Sequence, residues 1–154
     1  LNNFEKMKKQ LLENGLIFLF ISGLVSCKTF YFPLESFKAQ FSEIDSTKLR
    51  TVYTKGPAGD IVEYRSAPID YIKCVDKMNN PVELKNGPSI EVRFTEKNKR
   101  KTIFYFDRIF LQDTLIIGDR SRILGLSKTI SINNVELIEI QNGHKNYKYV
   151  DKKK

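Results

Sequence analysis

The chain has 154 residues, a formal net charge of +8, two cysteines and one histidine. This length suits one domain of ordinary size with its own core, and two cysteines exclude a scaffold held together by several disulfides. The chain also cannot supply the usual Cys and His ligand sets of a zinc site. We therefore expect neither a metal nor a cofactor.

The N-terminal segment has the three parts of a secretion signal. Lys6, Lys8 and Lys9 form a positive start, an apolar run follows, and a small residue stands just before Cys27. The apolar run is about ten residues, well short of the roughly 20 that a membrane-spanning helix needs. Met7 opens a typical signal sequence, so we expect translation to start there, with an alternative start codon at the first residue left open.

Leu24-Val25-Ser26-Cys27 resembles the lipobox of bacterial lipoproteins, including small ones of the Bacteroidetes type. The resemblance implies that residues 1–26 are a signal peptide, that the Cys27 sulfur receives diacylglycerol, and that the freed amine often takes a further acyl chain. Two or three chains anchor a protein stably, whereas one holds it only marginally. An ordinary signal peptide with a chance cysteine and a buried amphipathic helix are the alternatives.

The residues after Cys27 indicate which membrane would hold the anchor and which side of it the domain would face. Lys28 stands where the inner-membrane retention signal of enterobacterial lipoproteins has Asp, and Cys27-Lys28-Thr29-Phe30 lacks the acidic cluster of surface-exported Bacteroidetes lipoproteins. The resemblance therefore implies a lipid anchor in the bacterial cell envelope, in the outer membrane, with the domain facing the periplasm.

The part that would remain after cleavage is basic. Loss of Lys6, Lys8, Lys9, Glu5 and Glu13 leaves a side-chain charge of +7. A basic envelope protein can lie against anionic headgroups, lipopolysaccharide phosphates or wall polymers. Because the same charge also serves solubility, both interpretations stay open.

The segment 27–47 is predicted to be a lipidated tether that carries a short helix. Its apolar residues recur at spacings of three or four after Pro33, which favours a helix with the proline near its start. These residues are Leu34, Phe37, Phe41 and Ile44. Such a helix would pack under the domain or lie on the membrane, and we expect packing.

From residue 48 to residue 150 the apolar period changes to two, which predicts strands. The candidates are Leu49–Thr54, Ile61–Arg65, Tyr71–Val75, Val82–Leu84, Ser89–Thr95, Thr102–Phe106, Arg108–Gln112, Thr114–Ile117, Thr129–Asn133, Val135–Gln141 and Tyr147–Val150. Turn signals rich in Gly, Pro and Asn separate them. We predict an all-β fold, an antiparallel barrel or sandwich of short strands, followed by a basic tail over 151–154.

The β domain contains a candidate internal repeat. The segments 82–86 and 90–92 match 130–134 and 138–140 at a constant offset of 48 residues. Two related halves would produce this match, and so would two unrelated meanders that share the alternation of strands.

Three short motifs follow one another in the second half, from Lys101 to Val150. They are Asp113-Thr114-Leu115, Lys128-Thr129-Ile130-Ser131-Ile132 and Ile138-Glu139-Ile140. Their order resembles a β-rich module of small Bacteroidetes lipoproteins and envelope proteins. The resemblance implies a β-sheet scaffold and carries no catalytic residues over to this chain.

Candidate catalytic and metal-binding residues are sparse. His144, beside the predicted Asn142-Gly143 turn, is best interpreted as an exposed turn histidine, because no Gly-x-Ser-x-Gly elbow accompanies it. Asp107, Asp113 and Asp119 recur every six residues. They suit strand ends better than a calcium loop, which packs its oxygens closely around a glycine turn.

Cys74 and two glutamates complete the candidates. Cys74 lies in an apolar stretch, and both a small buried side chain and a reactive thiol stay open for it. Glu136 and Glu139 do not indicate a glycosidase pair without their separation in space. We expect no catalytic site.

The most basic stretch is a predicted hairpin tip that precedes aromatic residues. It consists of Lys97, Lys99, Arg100 and Lys101, and Arg120 and Arg122 add charge on a later loop. Beside aromatics, such a run would indicate nucleic acid in a cytoplasmic protein. Behind a lipoprotein signal we expect no nucleic acid. These six residues are candidate contacts for an anionic envelope polymer, and a solvated tip is the alternative.

The sequence thus predicts a membrane-anchored lipoprotein whose periplasmic β domain binds or scaffolds and does not catalyse. Its partners would be the membrane, through the lipid on Cys27, and an anionic polymer or an envelope protein. Two alternatives stay open. One is an envelope hydrolase whose carboxylate site forms in the fold, and the other is an assembly partner of an outer-membrane complex that offers a sheet edge.

Overall fold

The computed structural model describes residues 28–42, 44 and 47–151. The signal segment, the start at Met7, Cys27 and most of the basic tail lie outside these residues, so the predictions made for them stay predictions. Within the described part, no helix has the length and apolar character needed to cross a membrane.

Twelve strands and one α-helix, α1 (Leu34–Ser42), form the described fold. The strands are β1 (Phe30–Tyr31), β2 (Arg50–Lys55), β3 (Ile61–Ser66), β4 (Tyr71–Val75), β5 (Pro81–Lys85), β6 (Ile90–Glu96), β7 (Lys101–Tyr105), β8 (Ile109–Gln112), β9 (Leu115–Asp119), β10 (Ser127–Ser131), β11 (Val135–Asn142) and β12 (Lys148–Val150). The prediction of an all-β fold built from short strands is confirmed.

The strands make three antiparallel sheets, an arrangement consistent with a sandwich. A six-stranded sheet has the order β5-β4-β1-β11-β6-β7, and two three-stranded sheets have the orders β10-β9-β8 and β12-β2-β3. Strand β1 has two residues and was not predicted, because so short a segment shows no alternation. It nevertheless joins β4 to β11.

The predicted short helix is confirmed as α1, and it packs into the core. Phe37 and Phe41 are fully buried. The Phe37 ring meets the rings of Phe32 and Phe94 edge to face, with centroids 5.3 and 5.5 Å apart. Aromatic edge-to-face contacts of this kind add to the free energy of burial. The stripe at three- and four-residue spacing is therefore a core stripe.

Alternation along β6 and β7 separates a core face from an outer face. Val92, Phe94 and Phe104 are fully buried in the hydrophobic core. Arg93 and Ile103 face each other across the two strands. Because successive side chains of a strand point to opposite faces, this pair lies on the face turned away from the core. The candidate site described below is built on that face.

A strand, one turn of 3-10 helix and a second strand occur twice in the chain. The turns are Phe106–Arg108 and Ile132–Asn134, and each buries its first residue. The spacing of this unit is 26 residues, from 106 to 132. The 48-residue match predicted from the sequence relates β5 to β10, which lie in different sheets, and β6 to β11, which pair with each other. The local unit at a spacing of 26 residues is therefore distinct from that match, and the two related halves stay a prediction.

Candidate functional site: a cationic cavity above a buried polar cluster

A cavity of about 690 Å³ opens beside β6 and β7. Four cations line it, and one carboxylate, Glu91, accompanies them. The cations are Arg93 on β6, Lys101 on β7, Arg120 after β9 and Lys145 before β12. These residues come from four separate places in the chain, and we call the site the cationic cavity.

Two of the four cations are neutralised by carboxylates. Lys145 Nζ lies 2.5 Å from Glu91 Oε1, and Arg93 Nη1 lies 3.6 Å from Glu139 Oε2 across the β6–β11 pair. Among the described residues, Lys101 and Arg120 make no ion pair. The cavity therefore presents two uncompensated positive charges to whatever enters it.

The Lys145–Glu91 pair is held in place by its surroundings. Gln141 Nε2 donates to the second oxygen of Glu91 at 3.3 Å. A Cβ at Gly143 would come within 2.8 Å of the Glu91 side chain, so glycine leaves the room that this carboxylate occupies. The hydrogen bond to Glu91 raises the pKa of Lys145, which keeps the ammonium charged.

The remaining walls of the cavity are largely apolar. Ile103 and Leu126 are 38% and 52% exposed, and Phe104, whose side chain belongs to the core, also contributes to the lining. A Cβ on Gly118 would lie 2.5 Å from the Phe104 ring, so the glycine in β9 permits the close approach of that ring. A ligand that fits such walls would combine an anionic group with an apolar part.

Tyr105 lines the cavity and links it to a cluster of buried polar groups. Lys145 Nζ donates to the Tyr105 hydroxyl at 3.3 Å on the cavity side. The Arg122 guanidinium carbon lies 4.2 Å from the centroid of the same ring. Tyr105, which forms part of the cavity wall, is thus held by a cation–π contact with Arg122.

The buried polar cluster consists of Thr54, Tyr64, Asp107 and Arg122, and the hydroxyl of Tyr149, a residue that is 36% exposed, joins it from the surface. Arg122 Nη2 donates to Asp107 Oδ1 at 2.5 Å, and Nη1 donates to the Tyr64 hydroxyl at 2.9 Å. Tyr64 and Tyr149 both donate to Asp107 Oδ2, Tyr149 at 2.9 Å. The Tyr64 hydroxyl has a single proton, and it is engaged in the hydrogen bond to Asp107. Thr54 must therefore donate to Tyr64, over 2.8 Å.

This cluster ties the three sheets together. Thr54 and Tyr64 belong to β2 and β3, Asp107 follows β7, and Arg122 lies in the loop between β9 and β10. Arg122 Nη2 also donates to the carbonyl of Pro88 at 2.6 Å. Both charged side chains are almost completely buried, at 3% and 0% exposure. A buried pair stabilises a fold only when its hydrogen bonds are made. Both terminal nitrogens of Arg122 and both oxygens of Asp107 are bonded here, whereas Arg122 Nε is buried without a partner among the described residues.

The protonation of the cluster follows from burial and charge. Burial, with the Asp107 charge added, raises the pKa of Tyr64 to about 12. The same causes raise the pKa of Tyr149. Burial lowers the pKa of Arg122, but the charges and hydrogen bonds of Asp107 and Tyr64 outweigh that effect and raise it overall. Arg122 therefore stays charged and both tyrosines stay neutral at physiological pH.

The six predicted polyanion contacts fall into three groups. Lys97, Lys99 and Arg100 are exposed at the tip of the β6–β7 hairpin, as predicted, and Lys99 Nζ lies 2.6 Å from Glu136 Oε2. Lys101 and Arg120, from the two predicted basic segments, share the cationic cavity. Their contact with a polymer stays a prediction.

Among these six residues, the prediction made for Arg122 is wrong. Its side chain is 3% exposed and is paired with Asp107, so it cannot contact a polymer at the surface. Asp107 lies at a strand end as predicted, in the turn just after β7, but it is buried there and accepts hydrogen bonds from Arg122, Tyr64 and Tyr149. A surface loop rich in charge gave no sign in the sequence that one of its arginines turns inward.

The other candidates have structural surroundings. His144 is exposed and its amide donates to Asn142 Oδ1 at 2.9 Å, as expected of a turn histidine. Asp119 pairs with Arg108 at 2.8 Å. Over the described residues, no group of three or more His, Cys, Asp or Glu side chains is arranged to hold a metal. Cys74 is buried, and burial raises the pKa of its thiol to about 11, so the buried alternative holds.

Sequence reasoning missed Glu91, Arg93, Lys145 and Tyr64. The first two had a usable signal, because the alternation of Ile90-Glu91-Val92-Arg93 puts both charges on one face of a strand. The hairpin then places Lys101 on that face as well, through the pairing of Thr95 with Lys101. Lys145 and Tyr64 come from distant strands and had no such signal.

Comparisons with known proteins give no relative to reason from. No protein-family model matches the chain, and neither the curated proteins nor the solved structures contain a match.

Proposed function

We propose that this chain is a lipid-anchored binding module of the bacterial cell envelope, in which the cationic cavity holds a phosphate-bearing anion. The observation that carries the proposal is the pair of cations, Lys101 and Arg120, that enter one cavity without a carboxylate partner among the described residues. Uncompensated cations in a concave, partly apolar site attract and retain anions.

A binding role is favoured over a hydrolase with a carboxylate site. Such a site would need a carboxylate free to act as an acid, base or nucleophile. Glu91 in the cavity is paired with Lys145 at 2.5 Å, and Asp107 beneath it already accepts hydrogen bonds from Arg122 and two tyrosines. Both carboxylates are therefore bonded to other side chains of the protein and are not free to act on a substrate.

The anchoring part of the proposal rests on the lipobox and is tested separately. We expect mass spectrometry of the N-terminal peptide from native membranes to find acyl chains on Cys27, and the Cys27→Ala variant to lack them. An N-terminus that keeps residues 1–26 with an unmodified thiol would remove the anchor from the proposal.

The binding part is tested by calorimetric titration of the full chain with medium-chain polyphosphate. The Lys101→Ala/Arg120→Ala variant loses two charge-assisted contacts, each worth about 1.5–3 kcal/mol, so we expect affinity to fall at least about tenfold. Binding by the unchanged chain should weaken with added salt.

The Lys97→Ala/Arg100→Ala variant is the matched control. It also removes one lysine and one arginine, both exposed at the hairpin tip and outside the cavity lining. We expect its affinity to stay within about threefold of the unchanged chain, since these two charges lie outside the cavity and act on its ligand only at a distance through screening salt. Equal losses in both variants, or no binding by the unchanged chain, would contradict the proposal.

A further inference from the structure

We propose that the loop 120–126 docks the domain on the surface of an anionic phospholipid bilayer. In this arrangement Ile123 and Leu124 enter the boundary between headgroups and acyl chains, and the cationic cavity faces the headgroup phosphates. The inference rests on the proposed function, because it names the source of the anion that the cavity holds.

The tip of this loop exposes large aliphatic side chains. Ile123 is 76% and Leu124 is 70% exposed. Single exposed aliphatic residues are common on protein surfaces, but here two adjacent residues of one loop are both largely exposed. Leu126, which follows them, is half exposed and continues the apolar surface into the cavity.

The conformation of the tip is set by hydrogen bonds within the loop. Ser121 Oγ accepts from the amides of Ile123 and Leu124, at 3.3 and 3.1 Å. The Arg120 amide donates to the Leu126 carbonyl at 2.7 Å and closes the loop. Gly125 adopts a φ of +58°, the left-handed conformation that glycine takes most easily. The aliphatic residues are therefore held outward by a defined turn.

Arg122 fastens this loop to the rest of the protein. Its side chain runs inward to Asp107, Tyr64 and the Pro88 carbonyl. An inward anchor next to two outward aliphatic residues fixes how the tip is presented. A loop that is fastened in this way loses little conformational freedom when it binds, which favours association.

The charges around the loop indicate which kind of surface it binds. Both ends of the loop, Arg120 and Leu126, line the cationic cavity, and Lys101 lies in the same cavity. Exposed apolar side chains close to cations in the same loop match a bilayer, where acyl chains lie beneath a layer of phosphates. A soluble polyanion would satisfy the cations and leave Ile123 and Leu124 in water, so the bilayer is the better occupant.

The test uses the absence of tryptophan from the chain. The Leu124→Trp variant places a single indole at the tip, and Met78→Trp places one at a site of similar exposure, 78%, on the turn between β4 and β5. Both full-length variants are mixed with vesicles of phosphatidylglycerol and phosphatidylethanolamine that contain brominated acyl chains. Any lipid or leader at the N-terminus is common to both variants, so it does not affect their comparison.

We expect the Leu124→Trp indole to be quenched at least about threefold more than the Met78→Trp indole, because only the former reaches the acyl boundary. The difference should disappear with phosphatidylcholine vesicles or when Lys101→Ala and Arg120→Ala are added. The variant Ile123→Trp provides a second probe of the same tip and should behave as Leu124→Trp does.

Equal quenching of the two indoles would overturn the docking inference. If polyphosphate binding by the cavity persisted in that case, the proposed function would stand and a protein or polymer would be the better occupant of the tip. If polyphosphate binding were also absent, both the proposed function and the inference would fail.

Discussion

Arg120 and Arg122 are two residues apart in one loop, and they have opposite environments. Arg120 is exposed, lines the cationic cavity and makes no ion pair among the described residues. Arg122 is buried, pairs with Asp107 and stacks on Tyr105. An arginine side chain therefore contributes to a potential binding site at position 120, and it links three sheets at position 122.

The difference shows what burial does to a charge. Removing Arg122 would leave Asp107 as a buried anion without a cation, which is costly. Removing Arg120 would leave only water where a hydrated guanidinium was. Positive charge near the cavity is thus available for function only where the structure does not already use it, at Lys101 and Arg120.

The largest effect should come from breaking the buried pair. We expect Arg122→Met to lower the free energy of unfolding by about 3–5 kcal/mol, because it strands Asp107 in the interior. Arg120→Met, a matched change at an exposed site, should alter it by no more than about 0.5 kcal/mol. Denaturation in guanidinium chloride, followed by circular dichroism, measures both.

A second substitution sharpens this result. Adding Asp107→Asn to Arg122→Met removes the stranded charge, so part of the lost stability should return. Equal stabilities of the two single arginine variants would show that Arg122 is not the link between the sheets.

A smaller effect on the free energy of unfolding is expected from alkaline pH, and Tyr64 in the buried cluster contributes to it. Tyr64 keeps its proton up to about pH 12 in the folded chain, whereas an unfolded tyrosine loses it near pH 10. Between these values the folded state binds more protons than the unfolded state. Raising the pH therefore lowers the free energy of unfolding, by at most about 1.4 kcal/mol per pH unit for this residue. Below pH 10 its contribution to stability is fully present.

Unfolding curves from pH 9 to pH 12 test this prediction. The variant Tyr64→Phe should lose the part of the pH dependence that Tyr64 contributes, whereas Tyr149 and Cys74, whose pKa values are also raised, keep theirs. The variant Tyr71→Phe, at a residue 56% exposed on β4, should keep the full pH dependence. An unchanged slope in Tyr64→Phe would mean that Tyr64 does not titrate as its burial implies.

The smallest effect concerns the ion pair inside the cavity. Lys145→Met removes the partner of Glu91, whose side chain is 9% exposed, and we expect a loss of about 1 kcal/mol in the free energy of unfolding. Lys99→Met breaks the exposed pair with Glu136 and should cost close to nothing. Urea denaturation of the two variants side by side distinguishes a held pair from a solvated one. Similar small losses in both would indicate that Glu91 is not held.

Local patterns made the elements of this fold predictable from the sequence. Alternation located the strands from β2 to β12 to within about two residues, and the spacing of Phe37 and Phe41 identified α1. The two-residue strand β1 and the turn at 106–108 were missed because each is too short to carry a period. The candidate site was half predicted, since Lys101 and Arg120 were both named as candidate contacts of one anionic polymer, whereas Glu91, Arg93 and Lys145 were not named.

The rest of the site depends on long-range packing. Nothing near Arg122 in the sequence reports that Asp107 and Tyr64 meet it in the interior, because these residues come from three different segments. Lys145 meets Glu91 for the same reason, across 54 positions of the chain, from 91 to 145. Such contacts exist only after the sheets have assembled.

The most direct test of the cationic cavity as a binding site is an NMR titration of the ¹⁵N-labelled chain with pyrophosphate. The account predicts that the amide signals of Arg93, Lys101, Tyr105 and Arg120 shift together with one dissociation constant, while those of Lys97 and Lys99 at the hairpin tip move little. Shifts confined to the hairpin tip, or no shifts in the cavity at saturating pyrophosphate, would contradict it.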